Sequence, residues 1–286
     1  MIVVSSQATD LTTADLPVHR IAPARGWVPV RLNELWAFRE LLLFLVWRDV
    51  KVRYKQTVLG MAWAVLQPVM TMVVFSVFFG KLGHIGTGGV PYPVFAYCAL
   101  LPWQLFAYAL SEASNSVVTN QRLLSKVYFP KLILPLASVL VGLVDFAVFA
   151  VVLLGLMAWY GVMPGSGLWT IPIWTLLAVA TAVAVSLWLA ALNVRYRDVR
   201  YTLPFLTQLW LFVTPVAYPS SLVPDRWRAL YGLNPMVGVV DGFRWALVGG
   251  PWPGATVATS SAAVLVILVS GLFYFRRTER TFADIV

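Results

Sequence analysis

Six long apolar runs limit what this sequence can fold into more than any other feature. A helix needs about 20 mainly apolar residues to cross the hydrocarbon core of a bilayer. Runs of roughly that length occur at residues 59–79, 94–112, 133–160, 171–193, 203–219 and 256–275. Only 12% of the 286 residues are charged, whereas a soluble domain has roughly 25%. The sequence therefore predicts an all-α polytopic membrane protein with six transmembrane helices.

The distribution of charge predicts how these spans are oriented. Lys and Arg number 21 against 12 Asp and Glu, a net charge of +9, and cytoplasmic loops of membrane proteins collect such cations. A cytoplasmic N-terminus places 17 cations in the tails and inner loops and four outside. The outer four are Lys81, Arg226, Arg228 and Arg244. We therefore expect both termini in the cytoplasm, and we attribute the basic charge to topology rather than to binding of nucleic acid.

Residues 1–30 differ in composition from the rest of the chain. They mix Ser, Thr, Asp, Pro and Gly without apolar periodicity, which is typical of a flexible tail. They also lack the basic and apolar regions of a cleaved signal peptide. We expect a cytoplasmic tail here and an insertion signal in the first span.

Residues 31–58 predict a helix that lies on the membrane rather than across it. Their apolar core covers only residues 41–47, which is too short to span a bilayer. The flanking cations include Arg48, Lys51 and Lys55, which share one helical side. This pattern favours an amphipathic helix in the membrane interface, with a cytoplasmic extension of the first span as the alternative.

We expect residues 59–286 to form the transmembrane domain. Its last part contains two irregular segments, the fifth run and residues 220–255. The fifth run is short and carries Pro204, Pro215 and Gln208, features expected where irregular backbone faces protein or a water-filled path. The outer segment 220–255 has apolar pieces of about ten residues separated by Pro, Gly and Asn. These pieces are too short to cross the bilayer, so we expect re-entrant or interfacial short helices on the outer side.

The sequence offers no motif for an energy-supplying or catalytic centre. It has no phosphate-binding loop of the form G-x-x-x-x-G-K-[ST], so uphill transport would need a partner that hydrolyses ATP. His19, His84 and Cys98 are the only histidines and the only cysteine, too few for a dependable metal cluster or Ser-His-Asp set. We therefore predict no enzymatic activity, no metal and no cofactor in this chain.

Asp145 lies near the middle of the third run. No Lys or Arg lies inside any of the six runs, so the carboxyl group is protonated, hydrogen-bonded to a neighbouring helix or exposed to water. A proton relay needs a chain of such groups across the bilayer, and a single carboxyl does not provide one. We favour a structural hydrogen bond to another helix.

Several segments resemble the membrane subunits of type-2 ATP-binding cassette exporters. The run WRDVKVRYKQTVLGMAWAVLQP, residues 47–68, resembles the start of such subunits in the polysaccharide and teichoic-acid export group. Also similar are NQRLLSKVYFPKLILP at 120–135, NVRYRDVR at 193–200, LYGLNPMVGVVDGFRWAL at 230–247 and the basic tail FRRTER. The resemblance extends over nearly the whole chain.

This resemblance implies a permease that forms a homodimer in the bacterial inner membrane. Two separate ATPase subunits per complex would bind ATP and Mg, and the substrate would be a lipid-linked polysaccharide, such as O-antigen or capsule, or a polyol-phosphate polymer. A drug, antibiotic or lipid exporter of the same fold is the alternative. A membrane-embedded transferase acting on lipid-linked sugars would need clustered acids, and the outer segment has only Asp225 and Asp241.

Residues 120–130 resemble the coupling helix with which such permeases contact their ATPase. Leu123, Leu124, Val127 and Tyr128 would form an apolar ridge, and Arg122 and Lys126 would share a cationic face. A basic inner loop without a docking role is the alternative. Arg48, Lys51 and Lys55 would contact either the ATPase or lipid headgroups.

Two stripes of polar and aromatic side chains are candidates for the substrate path. Trp63, Gln67 and Thr71 recur every four residues in the first run, and Thr207, Trp210 and Thr214 recur at spacings of three and four in the fifth. A glycan offers hydroxyls and apolar ring faces, which such side chains bind. Ordinary helix packing is the alternative, but the resemblance places the first and fifth spans along the dimer path.

Overall fold

The computed structural model describes residues 32–55, 60–124, 126–279 and 282. The helices in this part are α1 Leu32–Ala37, α2 Arg39–Lys55, α3 Gly60–Phe75, α4 Tyr92–Thr119, α5 Gln121–Leu124, α6 Ile133–Trp159, α7 Ile171–Arg195, α8 Val199–Val213, α9 Asp225–Gly232, α10 Pro235–Val248 and α11 Gly254–Glu279. No β-strand occurs among the described residues, so the all-α prediction is confirmed. The predicted tail, residues 1–30, lies outside them.

Five helical stretches in the described ranges are long and apolar enough to cross a membrane. They are Val65–Leu82, Tyr92–Thr119, Ile133–Trp159, Leu168–Arg195 and Gly254–Glu279. The remaining predicted span corresponds to α8, whose 15 residues measure about 22 Å, less than the roughly 30 Å of the hydrocarbon core. The membrane-protein class is confirmed, and the count of six spans stays a prediction.

α4 is the central helix of the bundle. It packs against α6, α7 and α10, and nearly all of its residues from 94 to 110 are buried. It also continues to Thr119, beyond the predicted end at residue 112. The polar final turns remain helical and attached to the bundle, since the Asn193 amide on α7 donates to the Ser114 carbonyl at 3.0 Å and to Asn115 Oδ1 at 2.9 Å.

The connections between helices define two ends of the bundle. The basic end carries residues 120–132 and 196–198 together with the end of α11. The glycine-rich end carries residues 83–91, 160–167, 214–234 and 249–253. The first span reaches the glycine-rich end through a π-helical segment, Ser76–Leu82, that continues α3.

α2 packs lengthwise against the first half of α6. Leu45 is buried in a cluster with Phe129, Ile133, Leu134 and Ala137 at the basic end, and further along α2 the side chains of residues 53 and 54 reach residue 145 of α6. The opposite face of α2 exposes Leu43, Phe44, Trp47 and Val52. An exposed apolar face suits contact with lipid, and placement in the plane of the interface stays a prediction.

The outer segment forms two short helices, α9 and α10. α10 packs against α4, α7 and α11, and residues 235–244 are all buried. Asn234 caps its N-terminus, because the side chain accepts a hydrogen bond from the Met236 N–H at 3.1 Å. Gly249 ends it with a φ of +68°, a backbone conformation that favours glycine. α10 is therefore an internal helix, while α9 is mostly exposed.

Candidate functional site

The segment after α5 exposes a short loop at the basic end, residues 126–128, which we call the docking loop after its predicted role. The Tyr128 side chain is 88% exposed and that of Val127 is 50% exposed. Leu123 and Leu124, in contrast, are partly buried against the clusters formed with α2 and α6. The four residues predicted to form one ridge therefore do not share a surface. Leu123 and Leu124 face the interior of the chain, and Val127 and Tyr128 face outward, where a partner can contact them.

The cations predicted to share a face with this ridge also differ in setting. α5 has only four residues, and Lys126 follows it in a turn where its N–H donates to the Leu123 carbonyl at 3.2 Å. Arg122 and Lys126 are both exposed. Both cations are thus exposed, but Arg122 lies on α5 and Lys126 lies in the turn that follows, so the two do not share one continuous helix.

Both sides of the docking loop are held by other parts of the same chain. Before the loop, Arg48 of α2 donates to Asn120 Oδ1 at 3.3 Å. After it, the Lys131 N–H donates to Glu279 Oε1 and Lys131 Nζ donates to the Glu279 carbonyl, both at 2.8 Å. Arg276 pairs with the other oxygen of this carboxylate at 3.1 Å. A loop fixed at both ends loses less conformational freedom when a partner binds.

The three cations predicted on one side of α2 do not form a common surface. Arg48 is partly buried and pairs with Asp49 at 2.7 Å in addition to Asn120. Lys51 and Lys55 are exposed. Arg48 therefore connects α2 to the segment before the docking loop, and Lys51 and Lys55 are the more exposed of the three cations.

A buried charge cluster joins α2, α4 and α6. Arg53 pairs with Asp145 at 2.8 Å, the Tyr54 hydroxyl donates to the same carboxylate, and the Arg53 guanidinium lies 4.5 Å from the centre of the Tyr108 ring. The predicted hydrogen bond from a neighbouring helix is confirmed. The expectation that Asp145 has no cationic partner is wrong, because it considered only cations inside the spans.

Gln67 and Thr71, two of the predicted path residues of α3, lie on a face that no other described element covers. Gln67 is exposed, and the Thr71 hydroxyl donates to the Gln67 carbonyl at 3.0 Å. Together with Leu66, Met70 and Val74 they line a shallow groove of about 400 Å³. The side chain of Trp63 lies outside the described residues.

The predicted path residues of α8 are divided between surface and interior. Thr207 is partly buried, and its hydroxyl donates to the Leu203 carbonyl at 2.8 Å. Trp210 donates to Asn234 Oδ1 at 3.0 Å, and Thr214, fully buried, accepts from Asn234 Nδ2 at 3.1 Å. The Trp210 ring also packs edge-on against Phe106. Trp210 and Thr214 therefore hold the start of α10 and do not present a free surface to a substrate in this conformation.

Apolar side chains on α3 and α8 remain exposed in the single chain. On α3 and its π-helical continuation these are Leu66, Met70, Val73, Val74, Val77 and Phe78, and on α8 they are Phe205, Leu206, Leu209, Phe212 and Val213. In a membrane, lipid chains or another protein surface cover such faces.

A cavity of about 800 Å³ opens at the glycine-rich end. Its lining includes Asp241 and Arg244 of α10, both buried, which sequence reasoning did not single out as site residues. Burial raises the pKa of Asp241, while a hydrogen bond from Ser220 and the charge of Arg244 act in the opposite direction. Burial lowers the pKa of Arg244 to about 10, so the guanidinium stays charged at neutral pH.

Comparison with known proteins gives consistent results over most of the chain. Residues 40–248 match the family described as ABC-2 type transporter. The O-antigen export system permease protein RfbA of Myxococcus xanthus is 32% identical over 254 residues, which cover 87% of this chain and 96% of that protein. The protein of the same name from Klebsiella pneumoniae is 25% identical over 248 residues, covering 86% and 95%. The polysialic acid transport protein KpsM of Escherichia coli is 25% identical over 247 residues, covering 83% and 92%.

Proposed function

The chain belongs to the ABC-2 type transporter family, and we propose that it is the permease subunit of an ATP-driven exporter of polysaccharide. The observation that carries this proposal is similarity over 87% of the chain to a protein named as an O-antigen export permease. The names of the other relatives, O-antigen export and polysialic acid transport, favour a glycan over a drug, an antibiotic or a simple lipid. The substrate is a lipid-linked polysaccharide or a related polyol-phosphate polymer.

Energy for export comes from a separate ATPase, since the sequence has no phosphate-binding loop of its own. Two ATPase subunits per complex bind ATP and Mg. The docking loop supports this division of labour, because it exposes Val127 and Tyr128 between two anchored positions, Asn120 and Lys131. We assign contact with the ATPase to this loop and to the neighbouring cations Arg122 and Lys126.

The permease acts as a homodimer whose path runs between the two copies. The exposed apolar faces of α3 and α8 support this arrangement, since a single chain leaves both uncovered. In the dimer α8 is the fifth of six spans, with its short length compensated by the irregular segment that follows it. Gln67 and Thr71 on α3 and Thr207 on α8 supply hydrogen-bonding groups to the path, with Trp63 as a further candidate.

The basic end faces the cytoplasm of a bacterial cell and the permease lies in the inner membrane. Exposed cations at that end support this orientation, because cytoplasmic loops collect Lys and Arg. They include Lys126, Arg195, Arg197, Arg200 and Arg277. In this orientation both termini are cytoplasmic, α2 runs from the cytoplasmic end along the first half of α6, and α10 is a re-entrant helix that enters from the outer side.

Purification tests the proposal directly. We expect the tagged chain, isolated from its native membrane under mild conditions, to carry an ATP-binding cassette ATPase, identified by mass spectrometry. The complex should hydrolyse ATP in a vanadate-sensitive manner, and the chain stripped of its partner should not. Robust vanadate-sensitive hydrolysis by the isolated polypeptide would contradict the proposed division of labour.

A further inference from the structure

The cavity at the glycine-rich end has the size and enclosure of a ligand site. Its volume is about 800 Å³, within the range of roughly 300–1,000 Å³ typical of small-molecule sites. It is walled by the loop around Thr87, by α9, by α10 and by the connection that leads into α11. None of the predicted path residues lines it, so it is separate from the faces of α3 and α8.

Arg244 contributes guanidinium donors to the lining of this cavity. The side chain is 5% exposed, and its two Nη groups donate to the carbonyls of Val216 at 2.8 Å and Tyr218 at 3.1 Å. Its Nε has no hydrogen-bond partner among the described residues. That Nε is enclosed by protein atoms, so the donors that Arg244 offers to a ligand as a lining residue are the second N–H groups of its two Nη atoms.

Asp241 provides an acceptor in the same cavity. It lies one helical turn before Arg244 on α10, so the two residues share a face of that helix. It is 9% exposed and shares the cavity lining with Ser220, and a carboxylate has several lone pairs that a ligand can use. A hydroxyl group both donates and accepts, and therefore matches a site that offers a carboxylate beside a guanidinium N–H.

The cavity wall adds an aromatic platform and further hydroxyls. Trp252 lines the cavity and is 61% exposed, yet its ring is held edge-on against Trp245, with centroids 4.7 Å apart. Other hydroxyl side chains in the lining are those of Thr87, Ser221, Tyr231, Thr256 and Thr259. A flat aromatic surface beside several hydroxyls suits the apolar face and polar edge of a sugar ring.

The balance of charge argues against a site for phosphate groups. The other cation in the lining, Arg228, is paired with Asp225 at 2.7 Å. Arg244 is therefore accompanied by Asp241, and no cluster of unpaired cations forms in the lining that the structure describes. Recognition of phosphate or diphosphate relies on several charged or backbone donors. Neutral hydroxyls are instead bound by an acceptor and a donor together, such as the Asp241 carboxylate and the Arg244 guanidinium.

We infer that this cavity binds one or more sugar residues of the exported glycan at the outer end of the permease. Asp241 and Arg244 fix the hydroxyls, and Trp252 supports the ring. This inference rests on the proposed function in two respects. The proposed function places the cavity on the outer side of the membrane, and it identifies the sugar as part of the exported glycan. It adds a binding site within each chain, away from the path between two copies.

Direct binding tests this site. Fluorescently labelled oligosaccharides, released by mild acid hydrolysis from the surface polysaccharide of the source cell, are dialysed to equilibrium against the full chain in lipid nanodiscs. We expect one saturable site per chain. The substitutions Trp252→Ala and Asp241→Asn should each weaken binding about fivefold or more, the scale of one lost aromatic contact or charged hydrogen bond. Arg226→Gln is the matched control, since Arg226 is exposed on α9 but outside the lining.

Two results would overturn the inference. One is the absence of saturable binding, or equal binding by wild type and Trp252→Ala, a variant at an exposed position that does not depend on the folding of α10. The other is displacement of the labelled oligosaccharide by inorganic diphosphate, which would indicate an anion site. Export of polysaccharide by cells that carry the wild-type chain is measured in parallel. Export without binding would reject this site alone, and binding without export would reject the proposed function.

Discussion

Arg53 and Asp145 form an ion pair of 2.8 Å that joins the end of α2 to the middle of α6. The Asp145 side chain is 5% exposed, and Tyr54 and Tyr108 complete the cluster around the pair. Arg48, on the same helix as Arg53, contacts Asn120 next to the docking loop. α2 therefore connects the docking loop to the centre of the bundle through side-chain contacts at both places.

Removing the carboxylate from this pair should destabilise the permease. Asp145→Ala removes the carboxylate that pairs with the Arg53 guanidinium, and breaking a buried pair costs about 3–5 kcal/mol. Since Arg53 is 37% exposed, we expect about 1–3 kcal/mol. The measurement is the thermal unfolding midpoint in detergent. Asp225→Ala is the control, because its exposed pair with Arg228 is worth about 0–1 kcal/mol. Equal midpoints for the two variants would contradict a stabilising role of the Asp145 pair.

The exposed end of the docking loop should determine binding of the ATPase. Tyr128→Asp replaces an 88% exposed aromatic side chain and should lower retention of the ATPase at least tenfold, because buried aromatic anchors dominate interfaces. Thermal stability of the permease should not change. Co-purification of the ATPase measures the effect, and Met163→Asp, 86% exposed at the glycine-rich end, is the control. Full retention in Tyr128→Asp would exclude the loop as the docking element.

Leu124→Asp is not an equivalent test of docking. Leu124 packs against the clusters that include Leu45 and Phe129, so a carboxylate there would disturb the permease itself. Loss of the ATPase in that variant would not distinguish a docking defect from a folding defect.

Replacing Trp210 should reduce the folding stability of the permease, and any loss of transport should follow from that loss of stability. Trp210→Ala removes the hydrogen bond to Asn234 and the contact with Phe106, and truncation of a packed Trp costs about 3–5 kcal/mol. Because Trp210 is only partly buried, we expect the lower part of that range. Thr207→Ala, one turn earlier on α8, should leave the unfolding midpoint within about 0.5 kcal/mol of wild type. An unchanged midpoint with lost export in Trp210→Ala would mean that the ring contacts substrate.

Close packing of α10 against α7 gives a second test of the fold. An added Cβ at Gly242 would lie 2.3 Å from the indole of Trp174, and that indole is held by a hydrogen bond of 2.9 Å to Thr170. Gly242→Ala should therefore destabilise the permease by about 1–3 kcal/mol. Gly155→Ala on α6, with no neighbour within 4 Å of the added Cβ, should stabilise by about 0.5–1 kcal/mol. The same sign for both changes in thermal unfolding would contradict the internal position of α10.

Patterns within single segments predicted much of this fold. The apolar runs located the five long spans, since a spanning helix needs a continuous apolar stretch. The prolines of the fifth run indicated irregular backbone, and α8 ends at Val213, just before Pro215.

Contacts between distant segments could not be predicted in the same way. Asp145 has its cation on α2 rather than in a neighbouring run, and no local periodicity encodes that pairing. Trp210 and Thr214 follow a helical stripe, yet both are held by Asn234, which comes from another element. The spacing of such a stripe identifies which residues share a helix face, but it does not identify the element that packs against that face. The same holds for Leu123 and Leu124, whose apolar character fits either a partner or the permease's own core.

The most direct test of the account is the fate of the polymer in cells that lack this chain. We expect surface polysaccharide to disappear and lipid-linked polymer to accumulate on the cytoplasmic side, where only permeabilised cells expose it to a labelled lectin. Expression of the wild-type chain should restore the surface signal, and restoration should require an active ATPase partner. Surface polysaccharide that is unchanged, or lost without internal accumulation, would contradict export as the function of this protein.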